Sequence, residues 1–185
     1  MAHRLLKGRP NMNARSGQRG YSLAEMLTVV AIIGITSLIV VPNFVQYYRA
    51  IRLKTAMRRF ASDLRAARQR AVSRNEMVMI SYKPDVAPAT YSTYESLDSG
   101  TTWTQLGSNV TLDKPISLSD SSDATLKLTD AYQGDGLSDA IFKSDGTAVL
   151  PATVTTGQIT IKTAEKIAVP NYTITITSTG KISAQ

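Results

Sequence analysis

The chain has 185 residues, of which 43% are hydrophobic and 19% are charged, with no cysteine and one histidine. This length suits one domain of ordinary size, or a smaller domain with an extended element. The absence of cysteine excludes disulfides, thiolate nucleophiles and cysteine-based metal sites. With His3 as the only histidine, neither a histidine-based catalytic triad nor a multi-histidine metal centre is expected.

The net charge of +7 is unevenly distributed along the chain. Residues 1–20 carry five basic side chains and no acidic one, and residues 49–74 carry nine basic side chains against a single acid, Asp63. Residues 75–185 carry seven lysines and twelve acids, a net charge of −5. Because the C-terminal part is acidic, the high isoelectric point does not predict a DNA-binding domain.

An apolar segment near the N-terminus is long enough to cross a membrane. The 23 residues from Met26 to Tyr48 are all uncharged, and at about 1.5 Å per helical residue they can span a hydrocarbon core of about 30 Å. The basic residues before them place the N-terminus in the cytoplasm and the remainder outside. A secretory signal peptide would be followed by small residues at a cleavage site, whereas Val41 is followed by Pro42-Asn43-Phe44. We therefore predict a transmembrane part at about residues 23–45.

Glu25 lies at the start of this apolar segment. A carboxylate there costs about 2.5–3.5 kcal/mol if it reaches the bilayer centre without a partner. Such a residue is a functional candidate and needs a cationic partner. A plain membrane-anchored β domain without a filament role stays open as an alternative, although it leaves Glu25 unexplained.

The sequence Arg19-Gly20-Tyr21-Ser22-Leu23-Ala24-Glu25, followed by the apolar run, resembles the class III signal of type IV pilins and pseudopilins. The resemblance implies that a prepilin peptidase cuts after Gly20, removing residues 1–20 as a cytoplasmic leader, and methylates the new amine of Tyr21. The family usually carries phenylalanine where this chain has Tyr21. The resemblance also implies that Glu25 pairs with the N-terminal amine of a neighbouring subunit during assembly.

Beyond Pro42 the apolar residues recur at spacings of three and four, which predicts one helix over residues 21–75 with a kink at the proline. A basic amphipathic helix can also lie on a membrane or bind nucleic acid. We instead expect the apolar stripe to pack on the C-terminal domain and the arginines to face solvent or neighbouring subunits. The stripe consists of Ile51, Leu53, Met57, Phe60, Ala61, Leu64, Ala67, Ala71 and Val72.

After Asn75 the pattern changes to short strands separated by polar turns. Asp145-Gly146 predicts a hairpin turn, and the serine-rich stretch 117–123 predicts a surface loop. The expected fold is α+β, with a long N-terminal helix packed on a C-terminal antiparallel β-sheet or sandwich domain at residues 76–185. The predicted strands cover residues 77–82, 91–94, 101–104, 110–112, 116–118, 140–143, 158–162 and 172–177.

Two C-terminal features, Phe142-x-x-x-Gly146 and the closing Gly180-Lys181, resemble the H-type minor pseudopilins of type II secretion and the related T-type minor fimbrial pilins. This resemblance implies a non-enzymatic filament subunit without cofactors, anchored in the bacterial inner membrane. It would join other pseudopilins or pilins near the tip of a periplasmic pseudopilus that supports protein secretion.

The T-type alternative is a minor pilin that captures DNA for natural transformation. In that group a C-terminal Gly-Arg-x-Arg supplies cations to phosphates, whereas this chain has Gly180-Lys181-Ile182-Ser183. Only Lys181 remains as a weak anion contact, and DNA is a partner only under this alternative.

Two further groups of residues could suggest a calcium site or a nucleic-acid site, but turns and sheet packing explain them better. Aspartates flanking Gly134 and Gly136 could suggest a calcium loop, but their spacing differs from an EF-hand and both residue types are ordinary in turns. Scattered aromatic residues without nearby arginine favour sheet packing over base stacking. The aspartates are Asp130, Asp135 and Asp139, and the aromatic residues are Tyr91, Tyr94 and Trp103.

Overall fold

The computed structural model describes residues 20–121, 123, 128, 136–151, 155–164 and 170–185. The chain forms two compact units, Met1–Pro42 and Asn43–Gln185. Across the described residues one helix, α1 (Leu23–Arg74), precedes nine strands. These are β1 (Met77–Tyr82), β2 (Thr90–Ser96), β3 (Thr104–Thr111), β4 (Ile116–Asp120), β5 (Ser138–Phe142), β6 (Ala148–Val149), β7 (Thr156–Thr163), β8 (Tyr172–Thr177) and β9 (Ile182–Ala184).

Helix α1 is terminated by a residue in the left-handed conformation and a backbone hydrogen bond across the last turn. Asn75 follows the last helical residue with a φ of 57°, and the amide of Glu76 donates to the carbonyl of Ala71 at 3.1 Å. Asparagine tolerates this left-handed conformation better than most residues, so the chain can leave the helix while the Ala71 carbonyl keeps a hydrogen-bond partner. The helix therefore ends within one residue of its predicted boundary, while the kink expected at Pro42 stays a prediction.

The strands form two antiparallel sheets. The five-stranded sheet has the order β3-β2-β1-β5-β6, and the four-stranded sheet has the order β4-β7-β8-β9. In the first, Ile80 lies opposite Thr93 on one side and Ala140 on the other. A long helix with antiparallel sheets confirms the predicted α+β class.

The main core lies between the second part of α1 and both sheets. Phe60 is fully buried, and its ring meets Tyr82 edge-on at 6.0 Å and Tyr91 at 4.8 Å between centroids. Two members of the predicted stripe are not buried, because Ile51 is 42% and Val72 is 51% exposed. The buried face of α1 is therefore narrower than the apolar stripe that the residue spacing predicted. It comprises Leu53, Ala56, Met57, Phe60, Ala61, Leu64, Ala67 and Ala71.

The five-stranded sheet is covered on its other face as well. Met77 and Met79 of β1 and Ile141 of β5 form a second small core, against which Tyr94 and Trp103 pack. All six residues of β1 are buried, so neither face of this strand is exposed to solvent. The prediction that Trp103 and Tyr94 serve sheet packing matches this arrangement.

Two of the predicted strands, residues 101–104 and residues 110–112, have the wrong bounds. The strand expected at residues 101–104 begins only at Thr104, because the Asp98 carboxylate accepts the amides of Thr101 at 3.0 Å and Thr102 at 2.8 Å and holds a turn. The Thr102 hydroxyl, which donates to the same carboxylate at 2.6 Å, is the first cause that keeps the pKa of Asp98 below its ordinary value, and the Thr102 amide is the next. Residues 110–112 are not a separate strand, since β3 continues to Thr111.

The serine-rich stretch is not a surface loop through most of its length. Ser117 and Ser119 lie in β4 and are buried, and Asp120 ends this strand. The outer edge of β4 is covered by the preceding segment, where Asp85 donates its amide to Leu118 at 2.7 Å. Serine is tolerated there because Ser119 donates its hydroxyl to the Asp85 carboxylate.

Two buried tyrosines of the five-stranded sheet form hydrogen bonds to carboxylates of other elements. Tyr91 of β2 donates its hydroxyl to Asp63 of α1, and Tyr82 of β1 donates to Asp120 of β4. Burial first, and then the facing carboxylate, raise the pKa of both phenols. A raised folded pKa means that the stabilisation is complete below the unfolded pKa of about 10 and is lost as pH rises above it.

We therefore expect residues 43–185 to lose stability progressively as the pH rises above about 10. Tyr91→Phe should cost about 1–3 kcal/mol at neutral pH, because Asp63 loses its donor, and should make the alkaline loss shallower. Urea unfolding across this pH range measures both effects, and adding Tyr82→Phe should flatten the alkaline loss further. An unchanged alkaline slope in the double variant would contradict the assignment.

Candidate functional site

The segment around the predicted cleavage site lies just ahead of the helix. Gly20 and Tyr21 precede α1 and are exposed, with Tyr21 at 74%. Ser22 caps the helix, since its hydroxyl oxygen accepts the amide of Ala24 at 3.2 Å and its carbonyl accepts the amide of Met26 at 3.2 Å. A peptide bond outside the helix can enter a protease without unwinding a hydrogen-bonded turn.

Glu25 lies in the first turn of α1 and is exposed. A carboxylate at this position interacts favourably with the positive end of the helix dipole. Ser22 followed three residues later by Glu25 is also the capping-box pattern, which supplies a purely local reason for the glutamate. Within the part of the chain that the structure describes, no ion-pair partner of Glu25 is present.

The first part of α1 exposes its apolar side chains on every face. The most apolar 18-residue window is not buried at all, and this is the one helix of the described ranges that is long and apolar enough to cross a membrane. Its hydroxyl groups are satisfied within the helix: Thr28, Thr36 and Ser37 donate to carbonyls one turn earlier, at 2.8, 2.9 and 2.7 Å. Such a surface is compatible with lipid or with neighbouring apolar helices.

The two C-terminal motifs meet at one point of the fold. Phe142 is fully buried in β5, and the turn to β6 brings Gly146 against Gly180, which lies in the turn between β8 and β9. The Nε of Arg68 donates to the Gly146 carbonyl at 2.8 Å, and its Nη2 donates to the Thr179 carbonyl at 3.4 Å. Arg68 thus joins both turns to the helix.

The sequence did not reveal this role of Arg68. We expected the arginines of the helix to face solvent or neighbouring subunits, and for Arg68 and Arg70 this is wrong. Arg70 forms an ion pair with Glu95 of β2 at 2.7 Å. No local pattern distinguishes these two arginines from the exposed ones, because their partners are carbonyls and a carboxylate from distant strands.

Lys181 lines a cleft with a volume of about 820 Å³. Arg65 and Arg68 of α1 line the same cleft, and no carboxylate occurs among its described lining residues. Arg65 also donates to the Ile182 carbonyl at 3.4 Å. The helix therefore brings two further cations to the lysine that the sequence left isolated.

Of the three aspartates considered for calcium, Asp139 is the one among the described residues. Asp139 is not in a turn: it lies in β5 and is 3% exposed. Among the residues whose structure is described, no cluster of three or more acidic or histidine side chains could hold a metal ion. The other two, Asp130 and Asp135, lie outside the described residues.

Comparison with known proteins gives two matches to family models. The family described as Type II transport protein GspH matches residues 56–180. The family described as Prokaryotic N-terminal methylation motif matches residues 15–41. A search of curated proteins gave no match.

Solved structures share the fold. The type IV minor pilin FimU of Pseudomonas aeruginosa is similar with a TM-score of 0.51 and 17% identity, over 75% of this chain and 92% of that one. The minor pseudopilin EpsH from the Type 2 Secretion System of Vibrio cholerae is similar with a TM-score of 0.50 and 13% identity, over 72% of this chain and 96% of that one.

Proposed function

The chain belongs to the family of type II transport protein GspH, and on that premise we propose that it is a minor pseudopilin incorporated near the tip of a periplasmic filament that supports protein secretion. Pilin-like proteins of this family are structural subunits, so the chain is not an enzyme. Its partners are then other pseudopilins or pilins, a prepilin peptidase and the inner membrane.

One observation supports this proposal above the others: a methylation signal with Glu25 in the first helical turn continues directly into an apolar part of the helix whose most apolar 18-residue window is not buried. An apolar surface of this kind is compatible with lipid before assembly and with neighbouring helices after it. The leader is basic, which places the N-terminus in the cytoplasm and the β domain in the periplasm. The subunit is then stored in the membrane and drawn from it into the filament.

Processing gives the most direct test. Cleavage after Gly20 removes residues 1–20 of the 185 and leaves 165 residues that begin with Tyr21. Intact mass spectrometry of the protein extracted from membranes should show this chain with one N-methyl group. Gly20→Ala should block the cut and leave the full-length mass. Finding the leader intact on the unaltered protein, in cells with an active prepilin peptidase, would overturn the processing step.

DNA capture by a T-type minor pilin is the second candidate, and the cleft containing Lys181 favours it more than the sequence did. Arg65 and Arg68 supply cations there that the closing Gly180-Lys181 lacks on its own. Tight binding of duplex DNA by residues 43–185, steeply weakened by salt and reduced by Lys181→Gln, would favour capture over secretion. Weak binding at physiological salt would leave the secretion filament as the proposal.

A further inference from the structure

A basic groove lies between α1 and β9 and extends the cleft that Lys181 lines. A second cleft, with a volume of about 390 Å³, adjoins the first, because Arg65 lines both. We call the two clefts together the α1–β9 seam, and the whole seam belongs to the Asn43–Gln185 unit. Its basic residues are Lys54, Arg58, Arg65 and Arg68 of α1 and Lys181, which precedes β9.

The positive charge of the seam is not neutralised by acidic side chains. No aspartate or glutamate occurs among the described residues that line either cleft. Lys54, Arg58 and Lys181 are exposed, and within the described ranges they have no ion-pair partner. Outside the seam, Arg52 and Arg70 of the same helix each pair with a carboxylate. The seam therefore favours an anionic ligand.

The turn that carries Lys181 is already fixed in the absence of a ligand. The Thr177 amide donates to the Lys181 carbonyl at 3.0 Å, and the Lys181 amide donates to the Thr177 hydroxyl at 3.1 Å. Arg68 connects the same turn to α1 through the Thr179 carbonyl. Because the backbone around the lysine is ordered in advance, a ligand pays little entropy for ordering it.

Strand β9 presents backbone groups to the seam. It is the last strand of the four-stranded sheet, and among the described residues its outer edge pairs with no other strand. Gln185 exchanges both backbone hydrogen bonds with Thr173 of β8. Since antiparallel hydrogen bonds alternate along a strand, the amides of Ile182 and Ala184 face away from β8. An added extended segment bonds to such groups.

The dimensions and lining of the seam favour a peptide over duplex DNA. From Lys54 to Arg68 the helix rises by about 21 Å, a distance that about six residues of extended chain cover. Val72 is 51% exposed and adjoins Arg68, since a Cβ added to Gly146 would lie within 3.3 Å of both side chains. A peptide supplies carboxylates, backbone carbonyls and apolar side chains together, whereas a phosphodiester backbone cannot pair in register with the edge of a strand.

We propose that the α1–β9 seam binds an extended acidic segment of another pilin-like subunit. The backbone of that segment adds to the edge of β9, and its carboxylates pair with the cations of α1 and with Lys181. This inference rests on the proposed filament function and assigns one of its subunit contacts.

The test uses the full chain in detergent and a fluorescent hexapeptide of alternating glutamate and valine. Fluorescence anisotropy should show binding that weakens as salt is added. The variant K54Q/R58Q/K181Q should weaken binding about tenfold, because three exposed ion pairs are lost. Replacing each glutamate of the peptide with glutamine should have at least as large an effect.

Two methylated peptides test the strand pairing separately from the charge. One carries N-methyl groups on the glutamate amides and the other on the valine amides, and both keep the same charge. In an extended chain these two sets of amides point to opposite edges. One peptide should therefore bind like the parent and the other about tenfold more weakly. Equal binding of both would overturn the addition to β9.

A control variant of equal charge loss, K83Q/K114Q/K143Q, replaces three exposed lysines outside the seam and should bind the peptide normally. Equal losses in the two triple variants would overturn the proposal, because net charge alone would explain them. Tighter binding of duplex DNA than of the peptide, lost in K54Q/R58Q/K181Q, would overturn it in favour of a nucleic acid. The membrane-extracted K54Q/R58Q/K181Q chain should still begin with N-methyl-Tyr21, so failure of the seam is distinguishable from failure of the proposed function.

Discussion

Glu25→Gln and Glu25→Ala should both insert into the membrane and yet fail to co-purify with partner pilins. In the proposed filament the Glu25 carboxylate meets the methylated amine of Tyr21 on an adjacent subunit, away from water. Removing the carboxylate leaves that amine buried without its counter-charge, at a cost of about 3–5 kcal/mol, which is a loss of two to four orders of magnitude in assembly. Glu25→Gln keeps the shape and removes the charge, so it should be nearly as defective as Glu25→Ala.

The helix N-terminus provides a matched control for this experiment. Ser22→Ala removes the hydroxyl that accepts the Ala24 amide and should weaken the start of the helix by about 1 kcal/mol. It leaves the Glu25 carboxylate in place, so assembly should persist. If Ser22→Ala is as defective as Glu25→Gln, capping rather than pairing explains the glutamate.

Crosslinking each variant to its neighbours in intact membranes provides the readout. A plain membrane anchor predicts the opposite result, since loss of a carboxylate near the apolar segment is harmless or favourable for insertion. Undiminished crosslinking of both Glu25 variants would therefore reject the pairing mechanism and favour the anchor.

Gly180→Ala should destabilise residues 43–185 by at least about 3 kcal/mol. The residue has a φ of +77°, which costs an alanine about 1–2 kcal/mol. Its added Cβ would also overlap the carbonyl oxygen of Gly146 and approach the Nε of Arg68 to 2.7 Å. Because the obstacle is backbone held by that same arginine at 2.8 Å, relief requires separating the two turns, at a further cost typical of overpacking.

Gly107→Ala is the control that measures the cost of a positive φ in the absence of a steric clash. Gly107 has a similar φ of +71°, but nothing lies within 4 Å of its added Cβ. It should therefore cost only about 1–2 kcal/mol. Urea unfolding of both variants measures the difference, and equal losses would contradict the contact between the turns.

The N-terminal signal was predictable because its chemistry is local. Gly20, Tyr21 and Glu25 are recognised by their order along the chain, and the apolar run after them needs no tertiary partner to be identified. The family matches to residues 15–41 and 56–180 agree with this interpretation. The roles of cleavage, methylation and pairing stay predictions until the experiments above are done.

The fold class and most strands were likewise predictable from periodicity. Spacings of three and four predicted α1, and alternation predicted β7 and β8 within two residues of their ends. The errors in strand bounds occurred where side-chain hydrogen bonds changed the local backbone structure. The Asp98 turn makes β3 begin only at Thr104, and β4, expected at residues 116–118, continues to Asp120 within the serine-rich stretch, where Ser119 bonds to Asp85.

The sequence by itself predicted the membrane segment and the processing signal and was sufficient for the α+β class, since composition and periodicity indicate whether a side chain meets water, lipid or protein. Only the tertiary structure decided which polar groups pair. Arg68 bonds to Gly146, 78 residues away, and Arg65 joins the cleft of Lys181. The physical reason is that burial is a property of one residue in its local pattern. A hydrogen bond or ion pair is a property of two residues, and the chain distance between them is set by the topology of the fold.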